Sequence, residues 1–359
     1  MASMLKIGLM GYGFAGATFH APVIDHCGAP AEAPDAPYAR VTAIATSQPE
    51  RARSACPQAE IVADIDALIA SNEVECIVIA TPNDTHYALA AKVLEAGKHV
   101  VVDKPVTLTS AEARTLARLA REHGVLVAPF HNRRWDGDFM TVRALIESGA
   151  LGRVAHFESH FDRFRPQVPQ RWREEAARGG GLLFDLGPHL IDQALVLFGA
   201  PESVYASVQR HRDHASASDY VHLLLGYPDK EVVLHASALC AIEPPRFSVH
   251  GTRGSYVKMG LDTQEDQLKA GLRPGQAGFG GGNAAGTLRA LEGERLVETQ
   301  WPTRDGAYGE FYRAVAQAIK NGHPFPVTPQ DAVDVMTIIE LAHESAGTGK
   351  RLPFVRVTV

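Results

Sequence analysis

LKIGLMGYGFAG, residues 5–16, is the stretch that decides the fold. An apolar strand (Leu5–Met10) runs into the spacing G-x-G-x-x-G and a helical stretch follows, which is the context in which this spacing binds a dinucleotide. Gly11 permits a tight turn, Gly13 lets the backbone approach a pyrophosphate, and Gly16 lets the helix pack against the strand. The helix N-terminus adds N–H donors for phosphate. We therefore expect the whole loop at the cofactor: Gly11, Tyr12, Gly13, Phe14, Ala15 and Gly16.

As far as residue 130, the chain alternates short apolar strands with helical stretches. Strands are predicted at Leu5–Met10, Val41–Thr46, Cys76–Ala80, His99–Val102 and Val125–Ala128, and helices at Thr85–Ala96 and Ser110–His123. Thr109 or Ser110 can cap the second helix, and Gly97 and Gly124 can end the two helices. Apolar strands that alternate with helices form a parallel sheet covered on both faces. The predicted fold class is therefore α/β, with a doubly wound Rossmann domain over residues 1–130. The Pro/Ala-rich segment Gly28–Pro37 is predicted to be a loop.

After Phe130 the pattern changes from alternating elements to bunched strands, which favours a mainly antiparallel sheet. The predicted strands are Val154–Phe161, Ser203–Val208, Val221–Leu225, Val232–Ala238, Phe247–His250 and Ser255–Met259. Helices are predicted at Asp136–Glu147, Pro188–Phe198, Gly309–Asn321 and Asp331–Ser345. The glycine-rich stretch Gly271–Gly286 is interpreted as a mobile surface loop. Residues 131–359 are thus expected to form an α+β domain with a large open sheet, whose last helix can pack back on the first domain.

Composition excludes several classes of protein. The 359 residues, 45% hydrophobic and 21% charged with a net charge of −6, suit a globular chain of about two domains. Lysines and arginines are spread out, so no nucleic-acid partner is expected. No apolar run reaches ~18 residues and no secretory signal is seen, so neither a membrane span nor export is expected. The four cysteines lack metal-ligand spacing, so we expect no metal and a reducing, cytoplasmic location.

The end of the second strand selects the nucleotide. A site for NAD usually has an acid there to hold the ribose hydroxyls, whereas this chain has TSQPER over residues 46–51. Ser47 can bond a 2′-phosphate, Arg51 can reach it, and Thr46 adjoins them. An equally open interpretation makes Arg51 a solvated helix residue. The absence of an acid favours NADP, with NAD as the alternative.

Other candidates follow the later strands. Thr81, Pro82 and Asn83 lie past a strand end, where ligands of such sheets bind. His86 is open to a surface or a cofactor-side role. The segment Pro166–Arg173 can fold over the cofactor, which makes contact candidates of Trp172 and Arg173.

VVVDKP, residues 100–105, is a buried-type strand that ends in a lysine and a proline. The Lys104 ammonium, at the carboxyl end of the strand, can hydrogen-bond a reacting oxygen and stabilise negative charge on it. Asp103 is expected beside the cofactor. The competing interpretation of Lys104 is a solvated loop lysine.

GGGLLFDLGPH, residues 179–189, supplies the second catalytic candidate. Asp185 and His189 are four residues apart and share one face at helical spacing, and Pro188 suits the first turn of a helix. His189 can exchange a hydroxyl proton near neutral pH, and Asp185 can hold substrate hydroxyls or orient the base. The alternative is that Asp185 caps the helix and His189 is a packed core residue.

HNRRWD, residues 131–136, again follows a strand end. Asn132 can bond substrate hydroxyls or the carboxamide of a nicotinamide. Arg133 and Arg134 can instead form structural salt bridges, and Trp135 can belong to the core. Lys104, Asn132, Asp185 and His189 together suit a polyhydroxylated ligand without choosing among polyols.

These motifs together resemble the glucose–fructose oxidoreductase/inositol dehydrogenase family of NAD(P)-dependent oxidoreductases. The resemblance rests on GYGFAG, ATPNDTH, DKP, FHNRRWD and GLLFDLGPH. It is closest to the branch that includes NADPH-dependent scyllo-inositol dehydrogenases. It implies that Lys104 is the catalytic lysine, that Asp185 binds substrate and that His189 is the acid/base. Asp103 stands where the family usually has Glu. The family's open C-terminal sheet commonly forms a subunit interface, which implies a homodimer or homotetramer.

The leading hypothesis is reversible hydride transfer between NADP(H) and a CH–OH or C=O group of a polyol or sugar. Two other hypotheses keep the fold. One is a nucleotide-binding sensor or regulatory protein without turnover. The other is a lyase or hydrolase that uses tightly bound NAD for transient oxidation.

Overall fold

Six parallel strands form the first sheet, in the order β3-β2-β1-β4-β5-β6. They are β1 (Leu5–Met10), β2 (Ala39–Ala45), β3 (Glu60–Val62), β4 (Cys76–Ile79), β5 (His99–Val102) and β6 (Val127–Pro129). The structure is a computed structural model that describes residues 4–28 and 38–359, so the predicted loop Gly28–Pro37 lies, after Gly28, outside the described residues. All four residues of β4 are buried, as expected for a strand with helices on both faces. The predicted doubly wound sheet is confirmed.

Nine strands form the second sheet, in the order β14-β13-β12-β11-β7-β10-β9-β8-β15. They are β7 (Val154–His160), β8 (Ser203–Gln209), β9 (Tyr220–Gly226), β10 (Glu231–Ser237), β11 (Phe247–Gly251), β12 (Gly254–Lys258), β13 (Gly286–Glu292), β14 (Arg295–Trp301) and β15 (Leu352–Pro353). Only β7 and β10 pair in parallel, and every other neighbouring pair is antiparallel. The predicted large, mainly antiparallel sheet is therefore confirmed.

The helices cover both sheets. They are α1 (Ala21–Ile24), α2 (Pro49–Ala55), α3 (Ile65–Ala70), α4 (His86–Glu95), α5 (Ser110–His123), α6 (Gly137–Glu147), α7 (Leu182–Asp185), α8 (Gly187–Phe198), α9 (Gln264–Lys269), α10 (Gly309–Asn321) and α11 (Pro329–Thr348). Thr109 caps α5 through a reciprocal pair of hydrogen bonds with Glu112, and Gly124 ends it with φ 64°. In the described part of the chain, no single helix is long and apolar enough to span a membrane. Only the bent pair Ala176–Asp185 and Gly187–Phe198, 45° apart, passes when taken together.

The two last helices return to the first sheet. α11 packs against both α5 and β8, and Glu340 accepts hydrogen bonds from the backbone N–H and hydroxyl of Ser110, both at 2.7 Å. α10 packs on β1 and β2 through Phe311 and Tyr312, which are fully buried in the core of that sheet. The chain therefore ties its end to its beginning, and the cleft between the sheets is bounded by segments far apart in sequence.

Sequence patterns missed the elements with little buried surface. β3 is partly exposed, and β14 exposes all but one of its residues, so neither shows an apolar signal. The stretch Gly271–Gly286 is anchored rather than free. Gly280 donates its N–H to Gln267 at 2.7 Å, and the Gln267 side chain donates back to the carbonyls of Gly278 and Gly281.

Candidate active site

A cavity of about 450 Å³ lies at the carboxyl ends of the first sheet's strands and faces the second sheet. β1 and β4 are neighbours in the sheet although β2 and β3 separate them in sequence, so the strand order reverses there. Ligands of doubly wound sheets bind at such a reversal. The lining residues are Phe14, Ala15, Phe19, Asp103, Lys104, Phe130, Asn132, Arg133, Arg163, Arg165, Arg171, Arg173, Asp185, Leu186, His189, Glu265 and Lys269.

The glycine loop has the geometry that its spacing predicts. Gly11 has φ +101°, and a Cβ there would lie 2.5 Å from the carbonyl oxygen of Ala80. A Cβ on Gly16 would lie 2.2 Å from the carbonyl oxygen of Gly11. A Cβ on Gly13 would meet nothing within 4 Å, which leaves its backbone open to an approaching ligand. The following helix begins with a wide turn over Gly16–His20.

The side chains of this loop divide between core and cavity. Phe14 and Ala15 line the cavity, and Phe14 is 48% exposed. Tyr12 is buried, and its hydroxyl lies 3.5 Å from Cys56 Sγ. The expected contact between Tyr12 and the cofactor is therefore corrected for the side chain. The ring packs in the core, and only the backbone of Tyr12 is part of the ligand-facing loop.

The residues predicted to select the nucleotide follow the end of β2, and no Asp or Glu lies directly at that strand end. Thr46 Oγ1 accepts a hydrogen bond from the N–H of Gln48 at 3.0 Å, and Ser47 is exposed. Arg51 donates to Gln48 Oε1 at 3.1 Å and lies over the ring of Tyr12 at 5.8 Å. These three side chains lie outside the main cavity and near the surface.

A narrow groove continues from the cavity along the turn after β4. Thr81 and Asn83 line it together with Asp103, Lys104 and Arg173. The amide of Asn83 donates to the carbonyl of Gly179 at 2.8 Å, which joins the first sheet's turn to the segment before α7.

His86 lies behind the turns rather than in the cavity. Its Nδ1 is 2.7 Å from the carbonyl of Pro105 and its Nε2 is 2.9 Å from the carbonyl of Thr81. The ring is only 1% exposed. The expected cofactor contact of His86 is therefore corrected, because both nitrogens are already engaged in joining the turns after β4 and β5.

Lys104 reaches across the cleft to Asp185. Its Nζ donates to Asp185 Oδ1 at 2.7 Å and to the Asp185 carbonyl at 2.5 Å. Burial raises the pKa of Asp185, but the Lys104 ammonium and the Arg163 guanidinium outweigh burial and hold that pKa well below its usual range. Lys104 is thus a partly buried cation fixed by an ionised carboxylate, not a solvated loop lysine.

Asp103 is buried beneath Lys104. Its Oδ1 accepts the backbone N–H of Lys104 at 2.7 Å, and its Oδ2 is 3.7 Å from His20 Nε2. Burial raises the pKa of Asp103, but His20 and Lys104 outweigh it and lower the pKa to about 2. His20 Nδ1 in turn lies 2.6 Å from the hydroxyl of Tyr312 on α10. α10 therefore supports the turn that carries Lys104.

Asp185 and His189 flank the junction of α7 and α8. Asp185 is the last residue of α7, and α8 begins at Gly187 without a side-chain cap. Asp185 and His189 therefore lie on either side of the start of α8, in two helices that meet at Leu186. His189 lies in the first turn of α8, lines the cavity, and has a buried Nδ1 without a hydrogen-bond partner among the described residues.

Burial and the surrounding cations keep His189 neutral. Burial lowers its pKa, and the neighbouring positive groups of Lys104 and Arg133 lower it further, to well below its usual range. A neutral imidazole can accept a proton from a hydroxyl. The geometry therefore combines a proton acceptor and a fixed ammonium in one water-accessible cavity.

The segment after β6 carries side chains that face the cavity and side chains that make structural contacts, and Arg133 does both. Asn132 is buried, lines the cavity, and its amide makes no hydrogen bond within the described residues. Arg133 binds Glu265 at 2.6 Å and Arg134 binds Asp192 at 2.6 Å. Trp135 packs against Phe311 in the core. The structural interpretation of these last three residues is thus confirmed.

The segment before α7 folds tightly against the cavity wall. The Arg173 guanidinium lies 4.6 Å above the Trp172 ring and lines both the cavity and the groove, whereas Trp172 lines neither. A Cβ on Gly180 would lie 2.6 Å from the carbonyl oxygen of Arg173, and one on Gly181 would lie 2.7 Å from Ser218 Oγ. Only glycines allow this close approach.

Sequence reasoning missed five charged residues of the cavity. Three arginines come from the segment after β7 and two residues from α9; they are Arg163, Arg165, Arg171, Glu265 and Lys269. The signal that was available was the alternation of Phe161, Arg163 and Arg165 just beyond β7.

The two domains of one known protein family match the two parts of the chain. The NAD-binding Rossmann fold of the glucose–fructose oxidoreductase/inositol dehydrogenase (Gfo/Idh/MocA) oxidoreductase family matches residues 5–131, and the C-terminal alpha/beta domain of that family matches residues 143–354. The chain belongs to this family. It is an NAD(P)-dependent oxidoreductase, as the resemblance implied.

Similar proteins span its whole length. The oxidoreductase YdgJ of Escherichia coli is 45% identical over 346 residues, covering 96% of this chain and 97% of that protein. The scyllo-inositol 2-dehydrogenase (NADP(+)) IolW of Bacillus subtilis is 37% identical over 344 residues, covering 95% and 94%. The structure of the oxidoreductase YPO2259 from Yersinia pestis superposes with a TM-score of 0.92 at 43% identity, covering 100% and 99%.

Proposed function

We propose that this enzyme is an NADP-dependent dehydrogenase that interconverts a CH–OH and a C=O group of a polyol or sugar. The observation that carries the proposal is the convergence of Lys104, Asp185 and His189 on one cavity beside the glycine loop. The similarity to a scyllo-inositol 2-dehydrogenase supports a cyclic polyol or a related sugar.

Each side chain then has a distinct role. When bound, the nicotinamide cofactor accepts or supplies the hydride. Lys104 donates a hydrogen bond to the reacting oxygen and stabilises negative charge as it develops there. His189 takes the hydroxyl proton during oxidation and returns it during reduction. Asp185 aims Lys104 and binds substrate hydroxyls, and Asn132 offers its unused amide to the substrate or the carboxamide.

NADP is proposed over NAD because the end of β2 has no carboxylate to repel a 2′-phosphate. Exposed Ser47 and Arg51 are available to that phosphate, and Arg51 gives up only a bond to Gln48. The proposed cofactor contacts are Gly11, Tyr12 (through its backbone), Gly13, Phe14, Ala15, Gly16, Thr46, Ser47, Arg51, Thr81, Pro82, Asn83, Asp103, Lys104, Asn132, Trp172 and Arg173.

Substitution of Lys104 tests the proposal. Absorbance at 340 nm would follow NADPH and NADH separately with a panel of inositols, sugars and their keto forms. Lys104→Met keeps the length of the side chain and removes its charge, and loss of such a donor lowers kcat by about 10²–10³-fold. Lys92→Met, at an exposed lysine paired with Asp66, is the matched control and should keep full activity.

Two results would contradict the proposal. Turnover that Lys104→Met leaves unchanged would place the chemistry elsewhere. NADPH binding, seen by energy transfer from tryptophan, without turnover of any polyol or sugar would favour a nucleotide sensor. Tighter binding of NADH than of NADPH would overturn the cofactor assignment alone.

We further propose that the chain divides near residue 130 into the two domains and that it assembles as a homodimer or homotetramer. The open face of the second sheet, which carries half-buried His156, Glu158 and His160, is the proposed interface. Light scattering on the purified protein would test this, and a monomer at micromolar concentration would contradict it. Four cysteines without disulfides suit a cytoplasmic location.

A further inference from the structure

The segment beyond β7 directs two arginines into the cavity. The backbone continues beside β10, since Phe161 donates to the carbonyl of His235 at 2.9 Å and Arg163 to that of Ser237 at 2.8 Å. Arg165 donates to the carbonyl of Ala238 at 2.7 Å. Alternation along extended backbone places Arg163 and Arg165 on the same side. Both line the main cavity and a smaller adjoining one.

Most other cations of the cavity have acidic partners, whereas Arg173 has none among the described residues. Lys104 binds Asp185, Arg133 and Lys269 bind Glu265, and Arg171 binds Glu174. Within residues 4–28 and 38–359, no carboxylate oxygen lies within 4.0 Å of the charged nitrogens of Arg163 or Arg165. This end of the cavity therefore carries uncompensated positive charge.

The burial of Arg163 makes this charge costly. Burial lowers the pKa of Arg163, and repulsion from Arg165 and Arg133 adds to the effect despite attraction from Asp185 and Glu265. A partly buried cation without a counter-ion is unfavourable. An anion delivered by a ligand would relieve that cost and gain hydrogen bonds with two guanidinium groups, which match carboxylate and phosphate geometry.

The phosphates of the cofactor are expected at the glycine loop, not at Arg163 and Arg165. Gly11–Gly16 and the end of β2 lie at the carboxyl ends of β1 and β2, where a dinucleotide's phosphates bind. Arg173 borders the groove with Thr81 and is available to the cofactor. Arg163 and Arg165 do not line that groove. They share the main cavity with Lys104, Asp185 and His189, the residues proposed to act on the substrate.

We propose that Arg163 and Arg165 form an anion subsite for a carboxylate or phosphate on the substrate. The preferred substrate is then an acidic polyol or sugar derivative held by its anionic group at these arginines and by its reacting carbon near Lys104 and His189. This inference rests on the proposed function, because it assumes that a polyol or sugar occupies the cavity.

Matched compounds test the subsite. Glucose, glucuronate and glucose 6-phosphate share a ring and differ in the group at carbon 6, and scyllo-inositol and an inositol monophosphate form a second set. The subsite predicts that kcat/KM with NADP⁺ is higher for the anionic member of at least one set by about 10- to 100-fold, the worth of hydrogen bonds between charged groups. The better of carboxylate and phosphate identifies the anion. The advantage should fall as ionic strength rises.

Variants separate this subsite from general effects on the enzyme. Arg165→Gln, at an exposed side chain that the fold tolerates, should reduce the ratio of kcat/KM for the anionic and neutral compounds by about 10-fold or more. Arg163→Lys, which keeps the charge, should retain most of the ratio. Arg295→Gln, at an exposed residue of β14, is the control and should keep both values.

Titration calorimetry with the NADPH-loaded protein, in which the proposed oxidation cannot occur, reads binding independently of turnover. Glucuronate or glucose 6-phosphate should bind more tightly than glucose, and Arg165→Gln should abolish the difference. Turnover of neutral compounds with no anionic preference, and a ratio that Arg165→Gln leaves unchanged, would overturn the subsite while the proposed dehydrogenase stands. Absence of turnover and of binding for every compound would overturn both.

Discussion

At the scale of single residues, the site depends on charges that control one another. Lys104 is fixed by ionised Asp185, and burial together with the surrounding cations keeps the imidazole of His189 neutral. A proton acceptor whose pKa lies below its usual 6.5 stays available through the neutral range. The arrangement keeps His189 unprotonated, and so able to accept a hydroxyl proton, at neutral pH.

His189→Gln should lower kcat for oxidation by about 10²–10⁴-fold, the usual contribution of a general base. Because the pKa of His189 is lowered in the folded protein, the wild-type kcat/KM should lose activity only as pH falls below the usual 6.5. A pH–rate profile checks both statements. An acid limb with a midpoint above pH 7, or one that persists in His189→Gln, would contradict the role of His189.

At the scale of elements, two turns are held by one buried ring. His86, in the first turn of α4, bonds the carbonyls of Thr81 and Pro105 and so joins the carboxyl ends of β4 and β5. Both ring nitrogens are engaged by backbone carbonyls of the two turns. His86 thus positions the turn that carries Lys104.

His86→Asn should cost about 2–4 kcal/mol of unfolding free energy, because two buried carbonyls lose their partner. The control is His26→Asn, at an exposed histidine with one bond to the carbonyl of Pro22, which should change stability by less than about 1 kcal/mol. Urea denaturation measures both. Equal stability losses in the two variants would show that His86 does not join the turns.

The elements that sequence predicted well are those with a strong local pattern. A pattern of only a few residues was enough to predict three of them: the apolar run of β4, the glycines of residues 11–16 and the capping box of α5. β14 could not be predicted this way because its side chains are almost all exposed. The short helix α7 was also missed, since the helix predicted there begins only at Pro188, one residue after the observed start of α8.

At the scale of the whole molecule, the open face of the second sheet carries a row of histidines. His160 on β7 lies beside His235 on β10, which lies beside His222 on β9. His160 bonds Asp162 at 3.1 Å and Glu158 at 3.2 Å. Burial lowers the pKa of His160, but these two carboxylates outweigh it and raise the pKa. Asp162 has its pKa lowered to about 2.

Stability should follow these two shifts. The raised pKa of His160 gives a contribution that is complete below the usual 6.5 and is lost as pH rises through the raised value. The lowered pKa of Asp162 gives one that is present above 3.8 and is lost as pH falls toward about 2. Wild-type Tm should therefore fall between pH 6.5 and 8.5 more steeply than that of His160→Gln, measured by calorimetry.

The control for this prediction is His323→Gln, at an exposed histidine beyond α10, which should keep the wild-type slope. Parallel Tm curves for the wild type and His160→Gln would show that the histidine row contributes no pH-dependent stability. The comparison is made at one protein concentration, because an interface on this face would add its own dependence.

Long-range packing limited what sequence could predict about the whole molecule. Lys104 and Asp185 were identified separately, yet their 2.7 Å contact joins turns 81 residues apart. The buried contact between His20, which directly precedes α1, and Tyr312 of α10 joins residues far apart in sequence. No local sequence pattern predicts it. In the sequence, Arg163 and Arg165 cannot be distinguished from ordinary surface arginines. Only the fold shows that both line the cavity.

The central claim is that hydride transfer occurs beside Lys104. The most direct test is reduction of a keto-polyol with NADPH deuterated at the transferred position of the nicotinamide, followed by mass spectrometry of the product. The wild type should yield an alcohol that carries one deuterium on the reduced carbon, and Lys104→Met should yield almost none in the same time. Equal deuterium transfer by both proteins, or none by the wild type with any keto-polyol or keto-sugar, would contradict the account.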